Sequence, residues 1–293
     1  QGGASGGASG SGGKAGSGGA SGAASGSGGK AGSGGGAGDS GGNGNVVGQC
    51  ATTLPGLPTY NGNGSVTFYT FAMGSNCQNA PPTNKCVNCG FPVTATSPDT
   101  VAHAYTGSGR YFAAMNTDDF NGAAACGACV EVTRDGGRKV IATVVDQCPI
   151  ATNPVCKRGH IDLSREAFLQ LGSESEGHLG TGNGGRYGSI SWKYIPCPVP
   201  ASQNVTLRLK EPNNQYYTAV VVQDHTYPIK SVKIKGANAT RDPQSNFWMV
   251  GSGDQSPGPW KVQAIDINGW GFETTLSQGQ AGDVSTGHRV TCP

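Results

Sequence analysis

Nine of the ten cysteines in this 293-residue chain fall between Cys50 and Cys197, and only Cys292 lies far from them. A stretch cross-linked at that density folds around its bridges, with short elements and many turns. Two CxxC pairs, Cys86/Cys89 and Cys126/Cys129, have the spacing of a four-thiolate zinc site. The surrounding Cys50, Cys77, Cys148, Cys156 and Cys197 favour disulfides instead, and no metal is expected. Cysteines within one CxxC need not pair with each other, and the connectivity stays open. Cys292 is expected to tie the C-terminus back towards the first domain.

The N-terminal stretch cannot share that core. Of the 51 glycines, 22 lie in residues 1–44, where Ser9–Gly22 and Ser25–Gly38 repeat one another almost residue for residue. Glycine is not at every third position and proline is absent, which excludes collagen. Residues 1–49 therefore read as a disordered, low-complexity tether. The net charge of +2 is spread evenly and no basic run exists, so nucleic acid is not an expected partner. No apolar stretch is long enough for a membrane span. Cysteine usage and the Gly/Ser stalk imply a secreted, extracellular chain, with surface tethering through the tail left open.

From Gly64 to Pro198 short β runs alternate with glycine-rich turns: 65–71, 111–115, 129–133, 139–145 and 189–195. Arg134-Asp135-Gly136-Gly137 reads as a hairpin turn. One helix follows Ser164, its N-cap, with Ala167, Phe168 and Leu171 as the apolar stripe and Gly172 as the stop. Three prolines between Pro196 and Pro200 make a stiff joint. Beyond it, runs at 205–210, 216–223, 231–235, 247–250, 260–265 and 271–276 predict a β-sandwich.

Two carboxylates carry the chemistry. Asp146, in Val144-Val145-Asp146-Gln147-Cys148-Pro149, and Asp162, in Gly159-His160-Ile161-Asp162-Leu163-Ser164, both sit in apolar frames. Such frames raise a carboxyl pKa, which suits a proton donor to a sugar oxygen. From pattern alone, Asp162 could instead cap the helix. His160 reads as structural, and Asp118-Asp119 as a solvated loop. Strand alternation would put one ring of Tyr216-Tyr217 in the core unless the chain bends after Asn213-Asn214. Trp192 and Trp260 read as core, and Trp270 as an exposed turn aromatic.

In order, these segments resemble the expansins. Val66-Thr67-Phe68-Tyr69 is similar to the first strand of their double-psi β-barrel, and Ala124-Ala125-Cys126-Gly127-Ala128-Cys129-Val130-Glu131-Val132 to their CGAC strand. The Asp146 and Asp162 motifs follow in the family's order. Gly188-Ser189-Ile190-Ser191-Trp192-Lys193-Tyr194-Ile195-Pro196-Cys197-Pro198 is similar to the strand that closes the barrel. Val205–Glu211, Tyr216–Val222 and His225–Lys230 resemble the family 63 carbohydrate-binding module. The resemblance implies a mainly β protein: a six-stranded double-psi β-barrel in residues 50–198, then an immunoglobulin-like β-sandwich in 199–293. It also implies a polysaccharide groove with Asp162, Asp146, Thr67 and Tyr69, and a sugar-stacking platform with Tyr216, Tyr217 and Lys210. Pro243 and Gln244 fall where a third platform aromatic belongs, and Trp248 or Phe247 is expected to stand in. Cys148 matches the plant form of the motif.

The barrel is also similar to family 45 glycoside hydrolases, in which the residue matching Asp162 is the general acid. Inversion requires a second carboxylate across the sugar, and that family places it just after the first barrel strand. Here the strand continues Thr70-Phe71-Ala72-Met73-Gly74-Ser75-Asn76, and the first acid after Asp39 is Asp99. The expectation is a monomeric, cofactor-free, non-enzymatic protein that binds cellulose and other wall polysaccharides and loosens them without cutting. A hydrolase or peptidoglycan lytic transglycosylase on the same barrel, and a purely carbohydrate-binding protein, are the alternatives.

Overall fold

A computed structural model describes residues 54, 56–71, 87–96, 98–250 and 256–289. The glycine-rich tail, Cys50, Cys77, Cys86, Cys292 and the segment 72–76 lie outside the described residues.

Six strands close into a barrel: β1 (Thr59–Tyr69), β2 (Phe112–Asn116), β3 (Cys129–Arg134), β4 (Lys139–Cys148), β5 (His160–Ser164) and β6 (Ile190–Ile195). Their order is β5-β2-β4-β3-β6-β1, and β1 returns to β5. Two neighbouring pairs, β1/β5 and β2/β4, run parallel and the rest antiparallel. Closure removes the open edges that a lone sheet would present.

β5 is the strand that the sequence reading did not separate from the helix after it. His160-Ile161-Asp162-Leu163-Ser164 alternates polar and apolar residues, and Ile161 and Leu163 are fully buried in the core. On β1 the same alternation buries Val66 while Ser65 and Thr67 pair in register with His160 and Asp162. Helix α1 (Arg165–Leu171) then starts with Ser164 as N-cap, its Oγ accepting from the Ala167 N–H, and stops at Gly172. Asp162 is therefore not the cap. Phe168 from this helix packs on Phe68, ring centroids 4.8 Å apart.

Of the Asp118-Asp119 pair, Asp118 is exposed as expected, whereas Asp119 is not solvated. Asp119 is buried: its Oδ2 accepts from the Gly159 N–H at 2.9 Å and Asn116 Nδ2 at 2.6 Å, and its Oδ1 from Tyr60 Oη at 3.2 Å. It fixes the chain just before β5.

The second set of strands forms two sheets. β7 (Thr206–Leu209), β8 (Thr218–Gln223), β10 (Trp248–Val250) and β13 (Gly282–Ser285) belong to one. β9 (Ile229–Ile234), β11 (Trp260–Asp266) and β12 (Gly271–Leu276) belong to the other. β11 alternates strictly, burying Trp260, Val262 and Ala264 and exposing Lys261, Gln263 and Ile265. β8 is buried throughout, because its outward residues are covered as well: Val221 lies against Gly90 of the barrel.

Described disulfides join Cys89–Cys126, Cys129–Cys197 and Cys148–Cys156. The second CxxC thus sends its two sulfurs to different partners, which removes Cys89, Cys126 and Cys129 from any zinc site.

A polar latch joins barrel and sandwich. His103 Nδ1 lies 2.8 Å from Asp224 Oδ1, and its Nε2 lies 3.5 Å from Asp283 Oδ2. Tyr105 Oη donates to Asp224 Oδ1 at 2.7 Å. Burial alone would depress the imidazole, but its bonds to Asp224 and Asp283 outweigh that and raise its pKa to about 9. His103→Ala is expected to cost about 3 kcal/mol, the low end for unpairing a buried charge, because Tyr105 still serves Asp224. The imidazolium's contribution is complete below about pH 6.5 and is lost as pH rises through about 9. Urea unfolding of both proteins at pH 6 and pH 10 checks this, since the difference between them should shrink at the higher pH.

Candidate functional site

The barrel sets Thr67, Asp162, Ala114 and Asp146 in one row across four adjacent strands. Thr67 pairs with Asp162 between β1 and β5, Asp162 with Ala114 between β5 and β2, and Ala114 with Asp146 between β2 and β4. The small Ala114 between the acids is itself buried, packed with Cys148, Cys156 and Tyr69. Asp146 and Asp162 thus stand two strand spacings apart on one wall.

Each acid has its own surroundings. Thr67 Oγ1 donates to Asp162 Oδ1 at 2.8 Å, and the Cys148 sulfur lies 3.9 Å from Oδ2. Burial raises Asp162 to about 6, against a smaller lowering by the Thr67 hydroxyl. Asp146 Oδ1 accepts from the N–H groups of Asn88 at 2.9 Å and Gln147 at 2.8 Å. Burial outweighs those bonds, and with the nearby Asp162 charge it raises Asp146 to about 7. Below about pH 6 both carboxyls hold protons that can be offered to an oxygen.

Tyr69 completes the group. Burial first, then the charges of Asp146, Asp162 and Asp99, push its phenol well above the usual range. Its Oη is buried without a hydrogen-bond partner among the described residues, and its ring meets Phe71 and Phe112 edge-on. Asp99 is a third carboxylate that sequence order did not bring to this place. It is buried at the end of β1, with Oδ2 accepting from the Phe71 N–H. The signal was unreadable in sequence, because 28 residues separate it from Phe71.

Residue 88 links this row to the sandwich. Two residues after Asn88 bonds Asp146, Gly90 packs under Val221 and Phe247, and its carbonyl accepts from Gln223 Nε2 at 3.4 Å. A side chain at Gly90, at φ +72, would meet Val221 at 2.9 Å, so the close approach requires glycine. Cys89, between them, is held by Cys126.

Val221 and Phe247 form a small apolar cluster with Ala219, and Tyr217 and Met249 pack against it. Asn214 supplies the bend: its Oδ1 accepts from the N–H groups of both Tyr216 and Tyr217 at 2.9 Å. Both tyrosines therefore precede β8 and escape its alternation. Tyr216 is 68% exposed, and the Tyr217 hydroxyl reaches Met249 Sδ at 3.8 Å. Lys210 Nζ stands 5.5 Å from the Phe247 ring centroid.

Trp248 does not join this surface. It is 6% exposed, belongs to the sandwich core, and carries Arg241 4.3 Å from its ring centroid. Alternation along β10 turns it inwards, and Phe247 is buried too. Trp192 and Trp260 are core residues, whereas Trp270 is 52% exposed in the turn between β11 and β12.

A double-psi β-barrel family model described as "Lytic transglycolase" matches residues 99–182. "Expansin-like protein 5" of Dictyostelium discoideum is 32% identical over 206 residues, which cover 68% of this chain and 73% of that protein. The crystal structure of apo expansin from Clavibacter michiganensis aligns with a TM-score of 0.58 at 26% identity, covering 78% of this chain and 98% of the other. A mutant of that expansin in complex with cellohexaose aligns with a TM-score of 0.56 at 25% identity.

Proposed function

The chain belongs to the expansin family, and from that premise we propose that it binds wall glucans and loosens them without cutting. Asp162, Asp146, Thr67 and Tyr69 are the groove that grips a glucan strand by its hydroxyls. Tyr216, Tyr217 and Lys210 are the platform that holds a neighbouring stretch by its apolar pyranose faces. The barrel of residues 50–198 and the sandwich of 199–293 act together in this reading. Its main support is the segment 88–90, which binds Asp146 at one end and the bed of Tyr217 at the other. Tension on a bound strand then passes between two rigid surfaces rather than into a loose hinge. The solved relative with cellohexaose supports the substrate class.

Asp146 and Asp162 occupy the same wall, so neither faces the other across a sugar ring, as inverting hydrolysis requires. The family-model description favours one second reading, a lytic transglycosylase, which needs a single acid. Release of anhydro-sugars from purified peptidoglycan would support that reading and defeat ours.

Binding gives a separate test. Tyr216→Ala removes an exposed ring and is expected to change stability by under about 0.5 kcal/mol. Loss of one stacked ring, worth about 0.5–1.5 kcal/mol, should weaken cellulose binding by up to about tenfold in a depletion assay. An unchanged isotherm would remove Tyr216 from the platform.

A further inference from the structure

His160 is fully buried, yet both ring nitrogens are engaged. Nδ1 lies 2.8 Å from Ser65 Oγ, and Nε2 lies 3.0 Å from Thr67 Oγ1. Thr67 Oγ1 in turn lies 2.8 Å from Asp162 Oδ1. The β1/β5 register builds this chain, because Ser65 faces His160 and Thr67 faces Asp162.

Counting protons fixes its direction. A threonine hydroxyl has one proton, and here it goes to Asp162 Oδ1. Thr67 can then only accept from His160, so Nε2 carries the imidazole proton. Nδ1 is left as an acceptor and takes the Ser65 hydroxyl proton. All three protons point towards Asp162, and its Oδ1 is occupied as an acceptor. The other tautomer would reverse the chain: Nδ1–H would donate to Ser65, and Nε2 would draw the Thr67 proton away from Asp162.

We propose that His160 is a positioning residue for the groove. Its neutral Nε2–H tautomer holds the Thr67 hydroxyl on Oδ1, so the exchangeable proton of Asp162 sits on Oδ2, the oxygen beside Cys148. This deepens the proposed role of Asp162 as a donor to glucan oxygens and rests on that reading, but it is tested without any activity. Burial, and then the His178 ring, 5.6 Å away between centroids, lower the imidazole to about 3 and keep it neutral. The other groups facing Asp162 are Asp146 on β4 and Tyr69 on β1, with Asp99 acting on the latter.

The experiment is ¹⁵N-histidine NMR of the full chain from pH 5 to 8, with His160→Gln used to assign the signals. His160 should show a protonated Nε2 and an unprotonated Nδ1 throughout. A protonated Nδ1, or an imidazolium within that range, would overturn the proposal whether or not the protein loosens walls. The second readout is the Asp162 carboxyl titration, followed by ¹³C shift in His160→Leu. Freed from its guide, Thr67 no longer favours the carboxylate, and the Asp162 midpoint should rise by on the order of one pH unit. A folded His160→Leu with an unmoved midpoint would reduce His160 to packing. Should that variant fail to fold, the wild-type tautomer still decides.

Discussion

Asp162→Asn is expected to lower the rate of wall extension by about tenfold or more, the worth of one good hydrogen bond at about 1.4 kcal/mol. The variant should fold normally. Burial holds the carboxyl's pKa above its unfolded value, so the ionised form is disfavoured in the fold and Asp162 costs stability as pH rises through about 6. Asparagine removes that cost while its amide oxygen still accepts from Thr67. Stability at pH 7 should therefore hold or rise while loosening is lost. Wild-type extension should also decline as pH rises through about 6, as Asp162 gives up its proton. The variant's residual extension should lack that step. Creep of a clamped wall strip between pH 4.5 and 8 measures both, and equal extension by the two proteins would remove Asp162 from the mechanism.

Among the described bridges, Cys129–Cys197 should have the largest effect on stability. It closes a span of 68 residues, against 37 for Cys89–Cys126 and 8 for Cys148–Cys156. On the chain-entropy account, opening a loop of that length costs about 4 kcal/mol. Cys197 also lies where the last barrel strand gives way to the joint, and its N–H bonds the Thr226 carbonyl of the sandwich at 2.9 Å. The Cys129→Ser/Cys197→Ser double variant should thus lower the urea midpoint far more than Cys148→Ser/Cys156→Ser. A smaller loss than from the 8-residue bridge would contradict loop length as the governing factor.

Local chemistry was readable wherever it is written within a few residues. Ser164 caps its helix, Trp192 and Trp260 are core, and Asn214 makes the bend that frees Tyr216. What escaped depends on distant partners. The strand His160–Ser164 was masked by the helix that follows it, although its five-residue alternation was visible. Its parallel partner β1 lies 95 residues away at the Ser65–His160 pair, a separation that no local pattern encodes. Asp119 looked solvated because its partners, Tyr60 and Gly159, are remote in the chain. Trp248 was expected on the platform from alignment, whereas alternation along β10 turns it into the core. Asp99 had no apparent role until the fold carried it to Phe71.

That last carboxylate sets the most direct test of loosening without cutting. Creep and released sugar ends should be measured together on one wall sample, with wild type, Asp162→Asn and Asp99→Asn. The account predicts extension that depends on Asp162, with sugar release at the buffer level for all three proteins. Sugar release that rises with extension and disappears in both variants would make Asp162 and Asp99 an acid and base pair, and the protein a hydrolase.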